Sequence, residues 1–130
     1  MKRSLLVANA DNAMSGLYHH YFSSVGYRVE TVSDGLACLN RIRQGLPDML
    51  LLDQQLPWGG GEGVLACLRE ESALARIPVI LFADVLPIQV LSRLLVPPVI
   101  RCLEKRCSVT TLRYCVDSAM ASRQGRLARC

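Results

Sequence analysis

Short runs of leucine, valine and isoleucine recur along this chain between longer segments whose apolar residues step by three and four, and that alternation is its strongest constraint. A brief aliphatic run bounded by turn residues reads as a strand, and the helical period between two such runs reads as a crossover. Repeated, the unit builds a parallel sheet covered by helices on both faces. The first strand is expected over 4–8, followed by a helix whose apolar positions are Met14, Leu17, Tyr18, Tyr21, Phe22 and Val25, closed by Gly26. A second strand over 27–32 alternates Val29 and Val32 with polar residues and so belongs at a sheet edge. Ser33 or Asp34 caps helix two, which turns Leu36, Leu39 and Ile42 inward and stops at Gly45 and Pro47.

The run 49–52 is unbroken apolar and therefore central. Beyond it lies a glycine-rich loop, Asp53 to Gly61, then a helix from about Glu62 carrying Val64, Leu65 and Leu68. The remaining pattern gives strand four over 79–82, helix four over 87–95, strand five over 100–103 and a last helix capped by Ser108, with Val109, Leu112, Val116 and Met120 facing in. Right-handed crossovers favour a doubly wound, flavodoxin-like α/β fold with five helices and strand order 2-1-3-4-5, whose chemistry sits at the carboxyl ends of the strands.

With 130 residues, 51% of them hydrophobic, the chain is read as one domain, 1–130, with a well-buried core. The net charge of +4 is spread along the sequence, so nucleic-acid binding by this domain alone is not expected. The apolar run after Lys2 and Arg3 is too short for a signal peptide and no run spans a bilayer, which points to a cytoplasmic location without membrane contact. Six cysteines (Cys38, Cys67, Cys102, Cys107, Cys115 and Cys130) form no C-x-x-C pair and read as reduced thiols, Cys130 being the one placed to oxidise between molecules.

At the carboxyl ends of the strands fall Asn9, Ala10 and Asp11 after strand one, Asp53 after strand three, Ala83 and Asp84 after strand four, and Lys105 after strand five. The segment Leu-Leu-Leu-Asp53-x-x-Leu-Pro57-x-x-Gly-Gly61 resembles the phosphoacceptor segment of response-regulator receiver domains. Pro78-Val-Ile-Leu-Phe82 and Leu103-Glu-Lys105 resemble that family's fourth strand and strand-five lysine, so the likeness runs along the whole chain. It implies a two-component signalling module, not an enzyme, with Asp53 as phosphoacceptor and Lys105 as the phosphate-binding or ion-pairing cation. In the family an acidic pair and the phosphoacceptor hold Mg²⁺, and a Thr or Ser after strand four binds the phosphoryl oxygens, because phosphoryl transfer is mostly positioning and charge neutralisation.

Here the acidic pair falls on Ala8 and Asn9, the hydroxyl residue on Ala83, the aromatic switch residue on Cys102, and the proline after the lysine on Arg106. Any metal set therefore reduces to Asn9, Asp53 and Gln55, for which weak Mg²⁺ binding is expected. Asp11 and Asp84 are the nearby carboxylates that would substitute in a degenerate pocket. Without a metal, Lys105 becomes the counter-ion of Asp53, and Arg106 calls for a trans peptide after Lys105.

Helix four is apolar around most of its circumference, which suits either the core or a partner surface, a homodimer through helix four, strand five and helix five included. His19 and His20 point in different directions and read as solvated; Trp58 reads as a lid or a loop anchor. Arg123, Arg126 and Arg129 continue a basic helical tail of the kind that would lead to an effector domain. The reading is an atypical receiver working by contact with a histidine kinase or other signalling protein. Conventional phosphorylation of Asp53 is its first rival. A flavodoxin-like enzyme or nucleotide binder is the second, opposed by Ala8-Asn9 and by the lack of a G-x-G-x-x-G turn.

Overall fold

A computed structural model of the chain describes residues 2–84 and 86–129, with side chains through residue 122. Strands β1 (Ser4–Ala8), β2 (Arg28–Val32), β3 (Met49–Asp53), β4 (Val79–Phe82) and β5 (Val99–Leu103) alternate with helices α1 (Asn12–Ser24), α2 (Gly35–Gln44), α3 (Gly60–Glu70), α4 (Ile88–Leu94) and α5 (Val109–Arg129). All strands pair in parallel, in the order β2-β1-β3-β4-β5, which is the doubly wound topology expected.

The strand period of two divides each aliphatic run between two cores. Leu50 and Leu52 of β3 join Cys38, Ile42, Val64, Leu65, Leu68 and Leu94 beneath α2, α3 and α4. Met49 and Leu51 join Tyr18, Phe22, Leu112, Val116 and Met120 beneath α1 and α5. Each such side chain contributes roughly 1.5–3 kcal/mol by leaving water, which is why the central strand tolerates no polar residue before its end. As expected, β2 is an edge, and only Val29 of it is buried.

Local caps follow the sequence closely. Asp34 rather than Ser33 caps α2, accepting from Ala37 N at 2.7 Å. Ser108 Oγ accepts from Thr111 N at 3.2 Å at the start of α5, whose Leu112, Val116 and Met120 are buried.

Several expectations need correction. Leu36 faces water, 52% exposed, because the inward stripe of α2 is Gly35, Cys38 and Ile42, and Leu36 lies a helical step off it. Leu17 is likewise off the buried stripe Ser15, Tyr18, Phe22 of α1. Helix α3 begins at Gly60 rather than near Glu62, since Gly59 takes the left-handed N-cap conformation and lets the helix start inside the glycine run. Asp53 is the last residue of β3, not the first beyond it. Helix α4 resolves into a buried Leu94 and an Ile88 that is 74% exposed, so it is neither wholly core nor wholly surface. No helix among the described residues is long and apolar enough to cross a membrane. Cys130 and the side chains of Arg123, Arg126 and Arg129 lie outside the described residues.

Candidate functional site

The parallel registers place the strand ends side by side. Ala8 pairs with Leu52, Asp53 with Phe82, and Phe82 with Leu103. The backbone extends the ladder one step beyond, with Gln54 N donating to Phe82 O at 2.9 Å and Ala83 N to Leu103 O at 3.0 Å. The first residues after these strands therefore converge on one rim, around Asp53.

Asp53 is 8% exposed. Its Oδ1 accepts from the backbone N–H of Gln55 at 2.9 Å and lies 3.2 Å from Lys105 Nζ. The same ammonium donates to Gln55 Oε1. A lysine thus bridges the carboxylate and an amide two residues downstream, at a site where both ionic side chains are mostly shielded. Attraction at this spacing amounts to a few kcal/mol, largely offset by the desolvation of both ions, but removal of one partner would strand the other. The loop that follows is held by close backbone approach: at Gly61 a Cβ would lie 2.9 Å from Gln54 Cα and 3.0 Å from Asp53 O, so only glycine lets α3 start directly beneath the acid.

Beside Asp53 opens a cavity of about 270 Å³ lined by Asn9, Asp11, Met14, Tyr18, Asp53, Phe82, Lys105 and Arg106. Asn9 and Asp11 are interlocked: Asn9 Oδ1 accepts from Asp11 N at 2.8 Å, and Asp11 Oδ1 caps α1 by accepting from Ala13 N at 2.9 Å and Met14 N at 3.2 Å. Tyr18 stacks on Phe82 and is 2% exposed. Burial above all, with lesser contributions from Cys107 and Asp53, pushes its hydroxyl up to about 12, so it stays protonated.

The sequence singled out more residues than the rim uses. Asp84 is exposed and outside the cavity lining. Ala83 is buried, and Cys102 is half-buried against the other core, its thiol raised by burial. Gln55 turns its amide to Lys105. Sequence reasoning misses Tyr18 and Arg106 as residues of this cavity, because Tyr18 reads only as an apolar helix position and Arg106 only as the place of a lost proline. The Lys105–Arg106 peptide is trans, the one cis bond among the described residues being Pro97–Pro98.

A hard divalent cation wants a cluster of oxygen ligands, preferably charged. Here Asp11 and Asp53 each have Oδ1 engaged, and no group of three or more His, Cys, Asp or Glu comes together among the described residues to hold a metal. The residues present do not fit the Mg²⁺ that the family resemblance implied.

Comparison with known proteins settles the lineage. The family model "Response regulator receiver domain" matches residues 5–117. The chain belongs to the response regulator receiver family. It is 31% identical over 84 residues to a protein named probable transcriptional regulator ycf27 of Guillardia theta, covering 65% of this chain and 33% of that protein. It is 30% identical over 80 residues to the polar-differentiation response regulator DivK of Brucella anthropi, covering 62% of this chain and 65% of that one. The matches thus span a third to just under two thirds of these relatives. Among solved structures, the receiver domain of a signal transduction histidine kinase from Syntrophus aciditrophicus superposes with a TM-score of 0.84 at 21% identity, over 92% of this chain and 91% of that one. The chemotaxis response regulator CheY4 of Vibrio cholerae gives 0.83 at 18% identity, over 91% and 98%. These likenesses establish the receiver fold. The chain is a receiver domain of the two-component type.

Proposed function

We propose that this receiver is an atypical one, a cytoplasmic signalling module that acts through protein contacts instead of Mg²⁺-dependent phosphorylation of Asp53. The observation that carries the reading is the bridge from Lys105 Nζ to both Asp53 Oδ1, at 3.2 Å, and Gln55 Oε1. A lysine spent in this way already balances the acid that a metal and phosphoryl group would otherwise engage. Of the two positions given to the acidic pair, Asn9 lines the pocket without a charge, whereas Ala8 ends β1 with its side chain buried in the core and lies outside the lining, so it is no pocket position; Ala83 and Cys102 lack the hydroxyl and the aromatic ring that the resemblance links to switching. Contact surface is available where α4, β5 and α5 meet, with Ile88, Leu95, Val96, Ile100 and Tyr114 all exposed. Histidine kinases, a second copy of the chain and a downstream effector domain are the partner classes this face would serve.

A second reading, a conventional receiver phosphorylated on Asp53, is favoured by that residue's place at the end of the central strand beside a lysine. Incubation with a small acyl phosphate and Mg²⁺, followed by intact-mass measurement, separates the two. The atypical reading expects no phosphoryl adduct; near-complete conversion that is lost in Asp53→Asn would establish the conventional one.

A further inference from the structure

At the amino edge of the sheet, the opposite end of the strands from Asp53, the start of β1, the turn between α1 and β2 and the flank of α5 enclose an open cleft of about 500 Å³. Lys2, Arg3, Arg113 and Asp117 surround it, over Val25 and Tyr27. The one carboxylate is spent: Asp117 Oδ1 accepts from the Tyr27 hydroxyl, and Oδ2 lies 3.3 Å from Arg113 Nε. Two of the cations are not. Lys2 is exposed and makes no hydrogen bond or ion pair among the described residues. Arg3 Nη1 stands 3.9 Å from Asp48 Oδ1, at the limit of ion pairing, while the other oxygen of Asp48 is held by Ser4 N at 2.8 Å. Three cations against one carboxylate leave two positive charges around the cleft, which favours an anionic occupant.

What the cleft lacks selects the anion. A compact phosphate is best held by converging backbone N–H groups, but the amides of Gly26 and Tyr27 are spent on Ser23 O at 3.3 Å and Phe22 O at 3.0 Å. A nucleic-acid strand wants a continuous run of free cations. Beyond the cleft the charge is answered: Arg41 pairs with Glu30, which also attracts Arg28, and Arg43 pairs with Glu71. What remains is a few separated cations around an apolar floor, where Val25 and the Tyr27 ring, set edge-on against Phe22, are half-buried. That arrangement suits an extended peptide whose carboxylates flank an apolar side chain. We propose that this amino-edge cleft docks an acidic peptide segment of a partner protein, its carboxylates on Lys2 and Arg3 and its apolar side chain on Val25 and Tyr27. Asp117 holds Arg113 and Tyr27 in place and limits the charge of the cleft. The cleft is remote from Asp53 and keeps this role whether or not that residue is phosphorylated.

The probe is a labelled peptide, Glu-Asp-Leu-Glu-Asp-Glu, titrated against the full chain at constant ionic strength and followed by fluorescence anisotropy, with Gln-Asn-Leu-Gln-Asn-Gln as its neutral counterpart. Saturable binding of the acidic peptide alone is expected, with amide shifts in two-dimensional NMR at Arg3, Gly26 and Tyr27 and none at Gln55. Lys2→Ala and Arg3→Gln should each weaken it about threefold, and together about tenfold. Asp117→Asn adds one positive charge to the cleft and should tighten binding about threefold, the opposite of what damage to the fold would do. Arg76→Ala makes the same charge change as Lys2→Ala at an exposed site outside the cleft and should stay within about 1.5-fold of the parent. Because Lys2 is exposed, Lys2→Ala keeps the test readable even if thermal melting shows Arg3→Gln unfolded. Equal losses in Arg76→Ala and Lys2→Ala would reduce the effect to net charge and overturn the site, as would shifts confined to the carboxyl rim. Displacement of the peptide by a tighter-binding single-stranded DNA, with the same dependence on Lys2 and Arg3, would assign the cleft to nucleic acid instead. Absence of binding would overturn the docking site outright.

Discussion

Gly35, the first residue of α2, packs so closely on the Trp58 carbonyl oxygen that a Cβ at residue 35 would lie 2.5 Å from it. The contact is reinforced by Gly35 N donating to Pro57 O at 2.8 Å. The loop beside Asp53 is thereby pinned from below by the start of a helix, and Trp58 holds a positive φ of 66° while its ring stays 73% exposed. Gly35→Ala should therefore cost about 1–3 kcal/mol by overpacking. Gly63→Ala, in the interior of α3 with nothing within 4 Å of the new Cβ, should instead gain about 0.5–1 kcal/mol. Urea denaturation of both variants checks the contrast; equal effects would remove the Gly35 contact as an explanation.

Arg69 of α3 donates to Pro97 O at 2.9 Å, Val96 O at 3.0 Å and Leu94 O at 3.2 Å, closing the carboxyl end of the short helix α4. Arg69→Ala should cost about 2–3 kcal/mol and, by freeing those carbonyls, speed amide exchange in α4 more than in α1. Hydrogen exchange resolved by peptide reads the difference.

The two sides of α4 should respond oppositely to charge. Leu94 is fully buried, so Leu94→Glu should destabilise by about 3 kcal/mol or more. Ile88 is 74% exposed, and Ile88→Glu should stay within about 0.5 kcal/mol of the parent, which makes it the variant with which to probe partner contact. Thermal and urea unfolding decide whether the helix sits as described.

Stability should fall on the alkaline side. Burial, and secondarily Asp34, pushes the Cys38 thiol from its ordinary value of 9.0 up to about 12, and burial pushes Tyr18 from 10.0 to about 12. Burial and the hydrogen bond to Asp117 raise Tyr27 as well. A group whose folded pKa is raised contributes fully below its unfolded value, and the contribution drains away as pH climbs toward the folded one. The unfolded chain therefore releases protons first, Cys38 from about pH 9 and the tyrosines from about pH 10, at a cost approaching about 1.4 kcal/mol per pH unit for each group. Urea midpoints at pH 8, 9 and 10 should decline accordingly, and Cys38→Ala should flatten the step between pH 9 and 10 even though it lowers stability overall.

Mg²⁺ should bind no better than roughly millimolar, because Asn9 supplies a neutral oxygen already engaged with Asp11 N. Asn9→Asp returns one carboxylate to the rim and should tighten Mg²⁺ about tenfold. Trp58 fluorescence, checked by calorimetry, reports both titrations; tight binding to the parent chain that disappears in Asp53→Asn would contradict the charge argument.

What the sequence determined by itself was the architecture and the identity of the rim. Unbroken runs such as Met49–Leu52 fix a central strand, because only a position buried on both faces excludes polar residues so completely, and right-handed crossovers then leave one strand order. Asp53 and Lys105 were legible for the same reason: ends of parallel strands converge wherever the helices cross. Helix faces were less legible. Leu36 and Leu17 are as apolar as their buried neighbours, and a turn of one helical step, set by how Gly35 and Ser15 dock, decides which side chain meets the core. The polarity of the pocket belonged to tertiary structure alone. Whether a lysine is free or spent, whether a tyrosine hydroxyl is shut in beside an acid, and whether an arginine reaches the same cavity depend on distances between residues far apart in the chain, and hydrophobic periodicity carries no information about them.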